Sequence, residues 1–121
     1  MAEAGLFLDT QGKPLTPIIS WFDARGKETV EDWYAHMPPE QFFEVTGLNP
    51  NYIYSLFKIL WIKKNQPDLY EQAAKWLCMP DFIHYCLTGE FATDYSIASR
   101  TALCDIRKQR LSDTRLDLAG L

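Results

Sequence analysis

The chain has 121 residues, and its 12 basic and 16 acidic side chains give a net charge of −4. Apolar residues make up 47% and aromatic residues 14%, which excludes a disordered chain, since such chains lack the surface that offsets ordering entropy. The acidic balance excludes a dedicated nucleic-acid binder, which needs a Lys/Arg excess to neutralise phosphates. Lengths of roughly 100–200 residues usually serve one core, so one domain is expected. No apolar run approaches the roughly 20 residues that span a bilayer. The start, Met1-Ala2-Glu3-Ala4, lacks the basic end and apolar centre of a signal peptide. Cys78, Cys86 and Cys104 are odd in number and fall among apolar residues. A reduced, cytoplasmic setting is therefore expected, with no membrane partner.

In chain order, Gly5-Leu-Phe-Leu-Asp9 reads as a short buried strand and Thr10–Lys13 as a turn. Pro14 and Pro17 force extended backbone ahead of Ile18–Phe22, a second strand candidate. Beyond Lys27 the pattern is helical. Thr29 and Asp32 are spaced as a capping pair. Pro38-Pro39 stops that helix and opens a short one ending near Thr46-Gly47. Asn49-Pro50 predicts a helix over about 50–65, whose apolar face is too wide for a surface element and should be central. Pro67 and Pro80 predict helices near 67–77 and 80–88, the latter stopped by Gly89. Residues 93–105 show no clean period. Ser112-Asp113 predicts the cap of a last short helix ending before Gly120.

Most motifs that carry chemistry are absent. Pro14 follows Gly12-Lys13, so no phosphate-binding loop forms there, and neither GxGxxG nor GxSxG occurs. His36 and His84 are isolated, with no CxxC or HxxxH, so no metal site is expected. Ser55–Lys58 has an SxxK spacing without its companion KTG element.

Three local features remain. Trp21-Phe-Asp23-Ala-Arg25 sits at a strand end, where side chains commonly face a ligand crevice. An indole beside a carboxylate and a guanidinium suits a polyol; the structural reading is a buried Trp with an Asp23–Arg25 contact. Thr93–Thr101 is a dense polar run, either a capped turn or the wall of a site. Lys58 lies within an apolar helix, where lysines ordinarily snorkel to solvent.

The blocks Gly5–Asp9, Gly12–Leu15, Pro17–Arg25, Thr46-Gly47, Lys58–Trp61, Asp81–Ile83, Leu87–Glu90 and Thr93–Thr101 occur in this order. Together they resemble the amino-terminal domain of the FGGY carbohydrate kinases, which include xylulokinase, gluconokinase and glycerol kinase. The resemblance implies an α+β, mostly helical segment of a ribonuclease-H-like (actin-like ATPase) domain, with a short β-hairpin and several helices. It implies ATP-dependent phosphorylation of a sugar or polyol hydroxyl, with Mg·ATP bound between two domains of the full-length parent. Residues 1–121 then form part of the substrate-binding side, and the ATP-binding carboxy-terminal domain lies outside them.

By the same resemblance, Glu3 takes the sugar-facing place of the family's Gln-Met-His-Gly or Gln-Arg-Glu stretch. Trp21 matches the tryptophan that lines the polyol pocket, and Asp23 and Arg25 match its Trp-x-Asp-x-Arg element. Asp81 and Asp94 fall in recurrent positions near the cleft. Glu3 in place of a xylulokinase-type His points away from xylulose, and Ile53 in place of a pocket tyrosine points away from glycerol. Pentulose, hexonate, fuculose-like and tetritol substrates stay open. The family's Asp-x-Gly-Thr loop and its catalytic Gly-Asp element are absent. The fragment alone is thus expected to carry no catalytic residue, cofactor or turnover, with the rest of the kinase chain as its partner. The alternative is a non-catalytic helical module that binds a sugar or a protein. Its support is the wide apolar helix 50–65, and self-association through exposed apolar helix faces would follow.

Overall fold

A computed structural model describes residues 2–121. The first strand, β1 (Gly5–Leu8), is buried at all four positions. It pairs antiparallel with β2 (Lys75–Cys78), in a register that sets Gly5 opposite Cys78 and Leu8 opposite Lys75. On its other edge β1 meets the 14–19 segment through isolated bridges from Gly5 to Ile19 and Leu8 to Pro14. Residues 18–22 are therefore not a strand. Pro14 and Pro17 have no N–H to donate, so the ladder cannot propagate along that arm. Strand alternation sends Phe7 into the larger core while Leu6 and Leu8 join Leu77, Phe82 and Tyr85 on the opposite face.

A 3₁₀ turn (Ala24–Gly26) leads into α1 (Lys27–Tyr34), so Thr29 lies inside the helix and does not cap it. Its hydroxyl donates to the carbonyls of Gly26 (2.7 Å) and Phe57 (3.0 Å) and ties α1 to the central helix. Next, α2 (Pro39–Thr46) starts on proline and ends on Gly47 at φ 68°, as the sequence predicts. The central helix α3 (Ser55–Asn65) starts five residues later than expected. The Asn51 carboxamide accepts from the Ile53 amide (3.2 Å), closing a local turn that competes with the helix. Buried Leu56, Phe57, Ile59 and Ile62 make α3 the heart of the larger core. Phe57 stacks on Phe42 and meets Trp33 edge-on.

Beyond α4 (Pro67–Gln72), the predicted helix 67–77 breaks and its last residues become β2. Pairing with β1 outweighs the helical propensity of the Ala73-Ala74-Lys75 stretch. There follow α5 (Met79–Thr88), ended by Gly89, and α6 (Tyr95–Ser99). A hairpin of β3 (Cys104–Asp105) and β4 (Arg110–Leu111) precedes α7 (Asp113–Ala119). Ser112 stands at the start of α7 but its side chain makes no capping bond. The described residues thus hold seven helices and two two-stranded sheets, an α+β and mostly helical fold. Among the cysteines, Cys78 and Cys104 are buried, whereas Cys86 is exposed, contrary to its apolar sequence neighbours. None of the described helices is long and apolar enough to cross a membrane.

Candidate functional site

Glu3 stands just before β1, and its carboxylate receives the Arg100 guanidinium at 2.6 and 2.7 Å. Burial pushes the Glu3 carboxyl up, but the Arg100 bonds and charge, with a local backbone bond, hold it below its ordinary value. Arg100 follows α6, and its guanidinium lies over the Tyr54 ring, 5.1 Å from the centroid.

A second acid–base pair forms where the chain leaves the β1 edge. Asp23 accepts two parallel bonds from Arg25, Nε to Oδ1 and Nη2 to Oδ2, each 2.9 Å. This fork also holds the Asp23 carboxyl below its ordinary value. The Arg25 amide adds a bond to Oδ1, so Asp23 caps the 3₁₀ turn, and the guanidinium stacks over Trp61 at 5.0 Å. The structural reading of this motif expected an Asp23–Arg25 contact, which is present, and a buried tryptophan, which is not. Trp21 is instead 48% exposed and packs edge-on against the exposed Phe22. A cavity of about 450 Å³ flanks the Asp23–Arg25 pair, bordered by Phe22, Ser20 and Thr16. That volume lies within the usual range for small-ligand sites.

Asp81 and Asp94 are engaged differently. Asp81 is buried at the start of α5, and burial raises its pKa against a hydrogen bond from Thr93, with the Asp94 charge adding to the rise. Asp94 caps α6, accepting from the Ile97 amide (3.0 Å) and the Ser96 hydroxyl (2.6 Å). The polar run 93–101 is thus a capped turn that delivers Arg100 to Glu3.

Lys58 is the residue that sequence reasoning misplaced. It does not snorkel: the side chain is 0% exposed, and its ammonium donates to the Ile53 carbonyl. Burial lowers its pKa to about 8, and the charges of Asp23 and Glu3 oppose the fall. Glu3 and Asp23 therefore act on one buried cation, although they come from opposite ends of the β1–bridge segment. Asp81 joins this group only at its margin, through the field it shares with Glu3 at the buried Cys78 thiol.

Three or more His, Cys, Asp or Glu side chains that could hold a metal ion are not grouped anywhere among the described residues. With no glycine-rich phosphate loop in the sequence either, the residues present do not fit Mg·ATP, and no chemical step is assigned to it within this segment.

The family profile described as "FGGY family of carbohydrate kinases, N-terminal domain" matches residues 1–121. The chain belongs to that family. It is 37% identical over 117 residues to an L-fuculokinase of Salmonella typhi, covering 97% of this chain and 25% of that protein. Among solved structures, a gluconate kinase from Lactobacillus acidophilus superposes with a TM-score of 0.92 at 25% identity, over 98% of this chain and 24% of that one. A Plasmodium falciparum glycerol kinase with ADP superposes with a TM-score of 0.89 at 29% identity, over 98% and 24%. The FGGY segment described here thus spans about a quarter of the length of these relatives.

Proposed function

We propose that this segment forms one wall of the sugar pocket in an ATP-dependent kinase that phosphorylates a sugar or polyol hydroxyl. The observation that carries the proposal is the exposed indole of Trp21, two residues from the Asp23–Arg25 fork, with Glu3–Arg100 acting on the same buried Lys58. An indole face packs against the C–H face of a sugar. Ionised carboxylates accept from its hydroxyls, and guanidinium N–H groups donate to its oxygens. Asp81 and Asp94 are assigned to the margin of the same wall, where they hold its supporting turn.

None of these six residues is given the role of proton acceptor from the attacking hydroxyl. That carboxylate and the Mg·ATP site are assigned to the remainder of a ribonuclease-H-like, two-domain kinase in the cytoplasm, which is this segment's partner. The non-catalytic module is not favoured, because the apolar face that supported it is buried in α3. Exposed apolar side chains are instead scattered over several helices, among them Phe43 on α2, Ile83 and Leu87 on α5 and Leu118 on α7, and self-association would use such positions.

The full-length kinase is expected to release ADP in a coupled assay only when a polyol acceptor is present, with L-fuculose, glycerol, xylulose and gluconate as the first panel. ADP release that ignores every polyol offered would contradict the proposal. The 121-residue chain alone is expected to give no turnover above background. Turnover there would overturn the placement of the catalytic carboxylate elsewhere.

A further inference from the structure

Lys58 occupies the first turn of α3, fully buried, and its ammonium carries three donors. One goes to the Ile53 carbonyl, in the turn that sets Tyr54 beneath Arg100. A buried ammonium persists where opposite charge offsets its lost hydration. Here the opposite charges are Asp23 and Glu3, each already hydrogen-bonded to its own arginine. Each carboxylate is thus paired with its own guanidinium and acts on the ammonium through its charge. An apolar residue of the same length would fill the space in α3 without supplying that field.

We propose that Lys58 is a positioning residue for the sugar-facing wall: from behind the surface it fixes the 51–54 turn, which seats Tyr54 beneath the Arg100 guanidinium that holds Glu3. This role presupposes that the Glu3–Trp21 surface faces sugar, as proposed above. Lys58 touches no substrate itself.

In the full-length kinase, Lys58→Met should raise the sugar KM by about 10-fold or more, with the ATP KM within about 2-fold of the unmutated value. Glu3→Gln is measured alongside. If Glu3→Gln raises the sugar KM and Lys58→Met does not, the positioning role fails while the sugar wall stands. If neither changes it, both fall. Equal changes in the sugar and ATP KM values would mark Lys58 as merely structural.

A second readout needs no variant. The groups facing the ammonium are Asp23 and Arg25 from the 3₁₀ turn, Glu3 before β1 and Cys78 at the end of β2. With a pKa of about 8, Lys58 is charged below that pH and neutral above it. The sugar KM of the unmutated kinase should be flat near neutrality and rise as the pH passes about 8, and the rise should vanish in Lys58→Met. A sugar KM that stays flat through this range overturns the role.

Discussion

Phe57→Ala is expected to destabilise the fold by about 3–5 kcal/mol, the usual cost of emptying a fully buried aromatic site. Phe57 is 0% exposed, stacked on Phe42 with centroids 6.0 Å apart and met edge-on by Trp33 at 6.3 Å. Its carbonyl also accepts from Thr29, so backbone relaxation into the void would strain the tie to α1. The Gly26 backbone is also closely packed there, since a Cβ added at Gly26 would lie 3.1 Å from the Phe57 Cβ. Collapse around the lost ring is therefore restricted on two sides. Thermal unfolding followed by circular dichroism should show a midpoint lowered by roughly 10–20 °C. A drop of only a degree or two would mean that α3 is not the centre of the core.

Gly5→Ala is the second large effect, and it links the fold to the site. A Cβ added at Gly5 would overlap the Trp76 indole and lie 2.7 Å from the Leu77 carbonyl oxygen. The strand cannot shift aside, because Gly5 pairs with Cys78 on one edge and exchanges both backbone bonds with Ile19 on the other. Overpacking of this kind costs about 1–3 kcal/mol, and more where backbone must move. Glu3 lies two residues upstream, so any displacement of β1 also shifts the carboxylate held by Arg100. The melting midpoint should fall and the sugar KM should rise together in the full-length kinase. An unchanged midpoint would show that β2 yields easily and that the pairing is loose.

Elements bounded by their own residues are legible from the sequence alone. The strand β1 announces itself as four apolar-compatible positions before a turn, and α2 and α5 are bracketed by proline and glycine. Elements decided at long range are not. Ala73-Ala74-Lys75-Trp76 continues a helix as readily as it starts a strand, and only hydrogen bonds to a strand some 70 residues earlier settle it. Asn49-Pro50 is a sound start signal that loses to the Asn51 turn, and the helix begins only where the Leu56 amide finds the Thr101 carbonyl (2.9 Å).

The site divides in the same way. Trp21, Asp23 and Arg25 form a local motif whose Asp23–Arg25 contact is legible from spacing, whereas the exposure of the indole is not, because it depends on what the rest of the fold packs against it. The Arg100 partner of Glu3 lies 97 residues away, beyond any pattern in the chain. Lys58 was hidden for a different reason. A lysine among apolar helical neighbours reads as solvent-seeking until the two carboxylates that oppose its discharge are placed near it. Asp94 shows the converse: a residue at a recurrent position whose bonds all serve to cap α6.

Whether this segment supplies a wall of the sugar pocket is decided by Trp21→Ala in the full-length kinase. The indole is half exposed and sits on a loop that its removal would not unfold, so kinetics rather than stability should report the change. Steady-state measurements should show the sugar KM raised by about 10-fold or more while the ATP KM stays within about 2-fold. A sugar KM equal to that of the unmutated enzyme would contradict the claim.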